Sequence, residues 1–478
     1  MSQRAVEIPS SLREIIQDFR GCFTKPGAEN FARLIVGWML CQTRTCISRV
    51  IQASGGIEVG AHFSKFYRFL SEGRWRVDDL GHVLFQLLLR FAPGRDLTLI
   101  IDDTLCHKSG PHIFGGAMHY DSHKSTYGRG TSAGKKGFFA FGQNWVVAAL
   151  WIPCPWDLTR GIAVPFVFRL YRSQKRCSTK AYRKRTELAN DLIELVLSWL
   201  PEGRTLHVLG DAEYACGTIV RRLSESTEFT GPMNMKAALF ALPGPKRPGR
   251  GRPAKRGRRL LSPAQLAKAK STPWTKSTIE VYGKTVVVLT KSVDCLWYTV
   301  AHTRPVRMVI TRDPKGRLGD RAYFTTAVGL SIEEVLAQYA RRWEIEVSFR
   351  NTKQHLGLEN PQNGWWRRPS GTRRPKKKPG PNAHERIGQQ ATEHTLAMTF
   401  AAHAIVILWY WQHGKPDVDV ATVHKSAPWY RTKKAPSFAD MLTAVRLKMW
   451  EQRIPSTLPD DRNRKKRASL VPRWLLAA

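Results

Sequence analysis

The sequence predicts a mixed α/β protein: a sheet with helices packed on it, interrupted by a β-rich insertion, with helical regions before and after. Three observations predict it. The first stretch of the chain carries apolar side chains at helical spacing. From Leu97 the pattern changes to short apolar runs of strand length that alternate with helical segments. A basic loop then opens a stretch crowded with β-branched and aromatic residues, after which the strand and helix pattern resumes. These shifts divide the chain into a helical region at 1–95, a first core part at 96–238 and a basic loop with β-rich insertion at 239–320. A second core part follows at 321–360, then a basic loop and helical C-terminal region at 361–478.

In the first region, Phe31 to Leu40 is apolar at helical spacing. Two short helical patterns then flank Gly55-Gly56, the second carrying Lys65 and Arg68 beside Phe66 and Phe69. They suit a helix-turn-helix or a plain helical hairpin equally. A further helix from Val77 ends at Pro93-Gly94. In the core, LTLIIDD, NWVVAALWIP and IAVPFVFRLY read as strands, and ELANDLIELVLSWL, starting at Glu187, as a helix. RTLHVLGD is a strand, IVRRL begins a second helix, and EFTGPMNMK is a fifth strand. KRPGRGRPAKRGRR, Lys246 to Arg259, holds eight basic residues and no acid, so it cannot bury itself. TIEVYGKTVVVLTKSVDCLWYTVAHTRPVRMVITRD follows as the β-rich insertion. RAYFTTA returns as a strand, and YARRWEIEVSFRNTK, Tyr339 to Lys353, follows as a helix. RRPSGTRRPKKKPG is a second basic loop.

Charge narrows the function. Lys plus Arg is 76 against 38 Asp plus Glu, a formal +38, which favours a polyanionic partner, nucleic acid above all. Hydrophobic residues make up 42%, so the chain can build a core. The eight cysteines are scattered, with Cys41 and Cys46 the one near pair, and are expected to be reduced thiols in a cytoplasmic protein. MSQRAVEIPSS lacks the charged-then-apolar order of a secretory signal. Thr395 to Trp411 is apolar but short of the ~20 residues a span needs, and His403 interrupts it, so a buried core helix and no membrane partner are expected. Cys106, His107, His112, His119 and His123 crowd one stretch, but no cysteine pair at finger spacing precedes them, so no zinc site is expected. No GxxxxGK[ST] loop is present to support ATP-driven chemistry.

Apolar strands that end in carboxylates expose them at the sheet edge, where open α/β sheets bind ligands. Asp102 and Asp103 end the first strand, and Asp211 ends a later one in VLGDAEY. One such Asp is usually a turn residue or a helix cap. Two strands ending this way, in a chain of this charge, argue for a site. The Tyr339–Lys353 helix supplies a further acid. With Tyr339 at zero, Arg342 falls at about −60°, Glu346 at about −20° and Lys353 at about −40°, on one narrow face. Leu336, Trp343 and Val347, at about +60°, +40° and +80°, are expected to form the stripe that packs on the sheet. Taken alone, the polar face reads equally as a surface laced by the i,i+4 pair Arg342 and Glu346.

The spacing carries more. Tyr339, two residues, Arg342, three residues, Glu346, six residues, Lys353 closely resembles the signature of DDE transposases of the insertion sequence 4 superfamily. IDDT resembles the first acidic motif of that group, in the branch whose motif reads Asp-Asp-Thr, and GDAEY resembles the second. FGQNWVV and GRWRVDDLGHVLFQLLL are similar to the same branch. The order Asp, Asp, β-rich insertion, Glu is that family's arrangement on an RNase H-like fold, and the resemblance covers roughly residues 30 to 410.

The resemblance implies a DNA transposase that cleaves and joins strands at the terminal inverted repeats of an insertion sequence. Asp211 and Glu346 would be ligands for two Mg²⁺ or Mn²⁺ ions. For the first ligand, Asp102 has Asp-x-Thr spacing and Asp103 directly precedes Thr104; Asp102 is preferred and both are kept. Glu213 would stand in for Asp211 only if its strand ran on. Tyr339, Arg342 and Lys353 would grip phosphates around the cleaved end. Arg250 and Arg252 sit in an AT-hook-like core suited to the minor groove. Trp297 is the insertion's candidate for stacking on a displaced base, against the reading of a buried core Trp. The partners are double-stranded DNA, repeat and target, and a second copy of the chain, since two ends must be synapsed. The N-terminal helices would read the repeats, and the protein would work in the cytoplasm, on the nucleoid. A DNA-binding regulator descended from a transposase and a hydrolytic nuclease that never rejoins ends are the competing readings.

Neutralising the basic residues of Lys246–Arg259 is expected to lower DNA affinity across all sequences. A filter-binding titration in rising salt should show a slope flatter by about 0.9 for each phosphate that the loop no longer neutralises. Unchanged affinity at moderate salt would mean that the loop does not touch DNA.

Overall fold

The computed structural model describes residues 8–56, 62–109, 113–121, 137–244, 254–281, 283–361 and 386–451. Among these, ten strands form one sheet: β1 (Asp96–His107), β2 (Ala117–Tyr120), β3 (Phe139–Cys154), β4 (Asp157–Tyr171), β5 (Thr205–Gly210), β6 (Thr227–Met233), β7 (Thr275–Val281), β8 (Lys284–Cys295), β9 (Val306–Arg312) and β10 (Arg321–Thr325). Their order is β2-β3-β1-β5-β6-β10-β9-β8-β7, with β4 also on β3. Within it, β3 runs antiparallel to both β4 and β1, while β1, β5 and β6 are parallel. That core, with helices on it and helical flanks, is RNase H-like. Parallel neighbours need a crossover between them, and the Arg185–Trp199 helix provides the one from β4 to β5.

Leu97, Leu99, Ile100 and Ile101 are all buried, as expected for a strand covered on both faces. β1 does not stop at its two acids. It runs on to His107 because β3 continues to pair with it, to His107 opposite Gly142, although β5 leaves after Ile101 opposite Gly210. Asp102 and Asp103 therefore stand within a strand, paired on one side only. The IVRRL helix shrinks to Gly217–Val220, and β2 carries no apolar run that would announce it. The insertion makes no separate module. β10 pairs antiparallel with β6, and β9, β8 and β7 extend the same sheet outward.

The Thr395–Trp411 segment lies in the Arg386–His413 helix, which is long and apolar enough to cross a membrane, yet 94% of its apolar window is buried in the protein. It packs against β4, the N-terminal helices and the Phe438–Glu451 helix. The two short helices around Gly55-Gly56 are Ile47–Ala53 and Ser64–Ser71. The glycines take φ of 102° and 80°, left-handed values that favour Gly. Phe66 and Phe69 point into the core, so the second helix is fastened by its aromatic face to the long helix. All eight cysteines are free thiols. Arg250, Arg252, His112, His123 and the second basic loop lie outside the described residues.

His403 sits inside the long helix, fully buried, its ring 4.6 Å from Phe438, and neither ring nitrogen has a hydrogen-bond partner among the described residues. Burial, with His355 nearby, pushes its pKa down to about 3. An unfolded His binds a proton near pH 6.5, so between pH 6.5 and 3 the unfolded chain gains a proton that the fold refuses. Stability is expected to fall as pH drops below 6.5, by roughly 2 kcal/mol at pH 5 for this group. Urea unfolding of wild type and His403→Phe across that range should show a shallower loss in the variant.

Candidate active site

The parallel ladder sets two acids side by side. Its last pair is Ile101 with Gly210, and Asp102 and Asp211 come next on each strand. Asp211 then turns the chain: its Oδ1 accepts from the amides of Glu213 at 2.8 Å and Tyr214 at 3.3 Å. The strand thus ends before Glu213, which does not take the place of Asp211.

Glu346 arrives from the far side of the insertion. The Tyr339–Lys353 stretch forms two helices, Ile332–Arg341 and Trp343–His355, parted at Arg342. Arg342 keeps φ −55° and ψ −35°, so the helical screw passes through the break and the four signature residues keep nearly one face. Of the expected stripe, Leu336 is buried and packs on the sheet, but the second helix buries another one. Ile345, Ser348, Phe349 and Thr352 face the core, on the other flank of the polar face, and Trp343 is 49% exposed. Ile345 and Phe349 bury on that side, and the Ser348 hydroxyl donates to the Ala163 carbonyl of β4 at 2.6 Å.

Arg342 joins the acids. One nitrogen donates to Asp102 Oδ2 at 2.8 Å and another to Glu346 Oε1 at 2.5 Å. Burial pushes the Asp102 carboxyl well above the usual range, and the charges of Asp103 and Asp211 push the same way against the pull of Arg342. Burial also works against the charge of Arg342, but Asp102, Tyr339 and Glu346 outweigh it and raise its pKa. Burial moves the Tyr339 phenol up to about 12; its ring packs 4.8 Å from Tyr323. Successive strand residues face opposite ways, and Asp103 accordingly meets other partners. It accepts from Asn144 Nδ2 at 2.6 Å, Arg185 Nη1 at 3.3 Å and the Tyr214 hydroxyl at 3.1 Å. Arg185 also holds Glu213 at 2.7 Å.

Lys353 lies about two turns beyond Glu346. Its Nζ donates to the Leu105 carbonyl of β1 at 2.7 Å and stands 3.5 Å from the Glu359 carboxylate. Glu359 also accepts from the His107 amide at 3.0 Å, and the other edge of the His107 ring meets Asp121 at 2.8 Å. The structure brings together Asp102, Asp103, Asp211, Tyr339, Arg342 and Glu346, with Lys353 beside them. It does not bring Trp297, which is 7% exposed and packs edge-on against Phe324 at 5.0 Å, with no open face for a base. The aromatic next to the centre is Trp343, in a cleft of about 410 Å³ lined also by Val287, Leu318, Tyr323 and Tyr339. Sequence reasoning missed Arg185, Asn144 and Glu359; Arg185 closes a dense basic run, while Glu359 has no local signal at all.

Carboxylate oxygens suit a hard divalent cation, but among the described residues no three acids stand close enough to share one, Arg342 lying between Asp102 and Glu346. The raised carboxyl of Asp102 reflects burial first, with the charges of Asp103 and Asp211 adding to it, and a cation beside it would favour the ionised form. On this RNase H-like sheet with its strand-borne and helix-borne acids, the family comparisons indicate a nuclease-type enzyme. Residues 18–285, more than half of the chain, match the family model described as DDE superfamily endonuclease, and the chain belongs to that family. Residues 283–373, which include Glu346, match the model described as "Archaeal putative transposase ISC1217". Together the two domains support a transposase-type function acting on DNA. The curated proteins include no match to the chain.

Removing Arg342 leaves Asp102 and Glu346 facing each other without a cation. Arg342→Gln is expected to cost about 3 kcal/mol in metal-free buffer, the low end for a broken buried pair because Glu346 is a quarter exposed. Added Mg²⁺ or Mn²⁺ should restore part of the loss, read by thermal unfolding with and without chelator.

Proposed function

We propose that this chain is a cut-and-paste DNA transposase of the Asp-Asp-Thr branch of the insertion sequence 4 superfamily, cleaving and joining strands at the terminal inverted repeats of its own element. One observation supports it most. Asp102 and Asp211 follow the last pair of the parallel β1–β5 ladder, and Arg342 links Glu346 to Asp102 from the signature helix. Asp211, Glu346 and one of Asp102 or Asp103 would hold Mg²⁺ or Mn²⁺. Asp102 shares Arg342 with Glu346, which favours it, while Asp103 is already occupied by Asn144, Arg185 and Tyr214. Bound there, the cations would activate the attacking oxygen and stabilise the leaving one.

The chain's own residues orient the DNA. Tyr339, Arg342 and Lys353 would take successive phosphates, a planar guanidinium and a point charge being suited to them; Arg342 would do so by exchanging its bonds to Asp102 and Glu346, and Lys353 its bond to the Leu105 carbonyl. Little covalent chemistry is asked of the protein, so such positioning carries the rate. A base displaced near the cut would fit the cleft beside Trp343 rather than Trp297, and Arg250 and Arg252 would add minor-groove contacts. Two ends must be brought together, so the working form is a homodimer on DNA.

Cleavage of a labelled duplex bearing the element's end, with Mg²⁺ or Mn²⁺, tests this. Glu346→Gln and Asp211→Asn are expected to retain DNA binding and lose at least about 10³-fold in cleavage, an order set by the charge stabilisation they remove. Asp102→Asn and Asp103→Asn run side by side identify the first ligand as the one with the larger loss. Equal cutting by wild type and Glu346→Gln would refute the site, and cutting without joined product from pre-cleaved ends would leave a hydrolytic nuclease.

A further inference from the structure

The connection between β4 and the Arg185–Trp199 helix spans residues 172–184. It contains Arg172, Lys175, Arg176, Lys180, Arg183 and Lys184, and no acid. Both its ends are fastened beside the acids. Tyr171, the last residue of β4, pairs with Asn144, which pairs with Leu105 on β1 and donates to Asp103. At the other end, Arg185 meets Asp103 at 3.3 Å and Glu213 at 2.7 Å, with its guanidinium 5.6 Å from the Tyr171 ring. Tyr182 packs against the same ring at 6.5 Å. The segment is therefore a closed strap whose two feet stand at the acidic centre.

Its cations divide by use. Arg172 lies over the Phe114 ring at 5.0 Å, and Arg183 pairs with Asp191 at 2.8 Å. Lys175, Lys180 and Lys184 are exposed, four to five residues apart, on or beside the short turns Gln174–Arg176 and Thr179–Ala181. A polyanion approaching Asp102, Asp103, Asp211 and Glu346 meets repulsion unless cations line its path. Lysines suit that task, since a point charge takes a phosphate without selecting a base.

We propose that the 172–184 strap is a phosphate track that leads a DNA strand into the acidic centre, with Lys175, Lys180 and Lys184 on the strand's backbone. This rests on the DNA-cleaving reading of the same site. The test uses the full chain and a short labelled duplex, with affinity measured by fluorescence anisotropy across a potassium chloride series. The triple variant Lys175→Gln, Lys180→Gln, Lys184→Gln should bind more weakly, with a log–log salt slope shallower by about 2.7, near 0.9 per duplex phosphate. Lys180→Gln alone should give about a third of that change, so the outcome does not hinge on the folding of the triple variant. A control, Lys415→Gln, Lys425→Gln, Lys434→Gln, removes the same charge from the exposed C-terminal surface and should leave the slope as in wild type. If strap and wild-type slopes agree, or strap and control variants change alike, the strap is only a solvated surface and the track is overturned while the DNA-cleaving reading stands. If wild type itself neither binds nor cuts the duplex, both fall.

Discussion

The parallel ladder between β1 and β5 ends at Ile101 and Gly210, and the next residue on each strand is Asp. Up to that pair the strands carry buried apolar side chains; beyond it β5 turns away. β3 keeps its grip on β1 for six further residues, so the first acids are held on a paired strand rather than on a fraying end. Register matters here more than anywhere else in the sheet. A slip of one residue would exchange the faces of Asp102 and Asp103.

Gathering acids has a cost that the fold offsets locally. Two unit charges 4 Å apart repel by about 4 kcal/mol at an effective dielectric of 20. At Asp102 this adds to the effect of burial, which is the larger cause of its raised pKa. Two arginines answer it on two sides: Arg342 between Asp102 and Glu346, and Arg185 between Asp103 and Glu213. Arg342 sits where two helices meet and Arg185 at the first turn of another, so each counter-charge is delivered by the element that follows a strand of the core.

The β-rich insertion also bears on the geometry. The Ile332–Arg341 helix rests on it, Val335 and Leu336 packing with Ile279 of β7 and Val309 of β9. The Trp343–His355 helix rests on the core through Ile345, Ser348 and Phe349. Arg342 is the joint. The position of Glu346 therefore depends on both supports, and the insertion serves as half of the cradle for the third acid.

Much of this was legible in the chain. The apolar runs ending in Asp102 and Asp211, the long Glu187 helix, the β-branched insertion and the buried helix around His403 all follow from local periodicity, because each is decided by neighbours a few residues away. The signature spacing of Tyr339, Arg342, Glu346 and Lys353 survives a helix break because Arg342 keeps helical dihedrals. What the chain could not show are the choices made by distant partners. β1 runs past its acids because β3 pairs there. Trp343 faces solvent because the opposite flank, Ile345, Ser348 and Phe349, is the one that packs on the core. Trp297 is core because Phe324 lies against it. Sequence determined which residues carry charge and at what spacing; tertiary structure decided which faces they share, since burial and pairing are set by residues tens to hundreds of positions away.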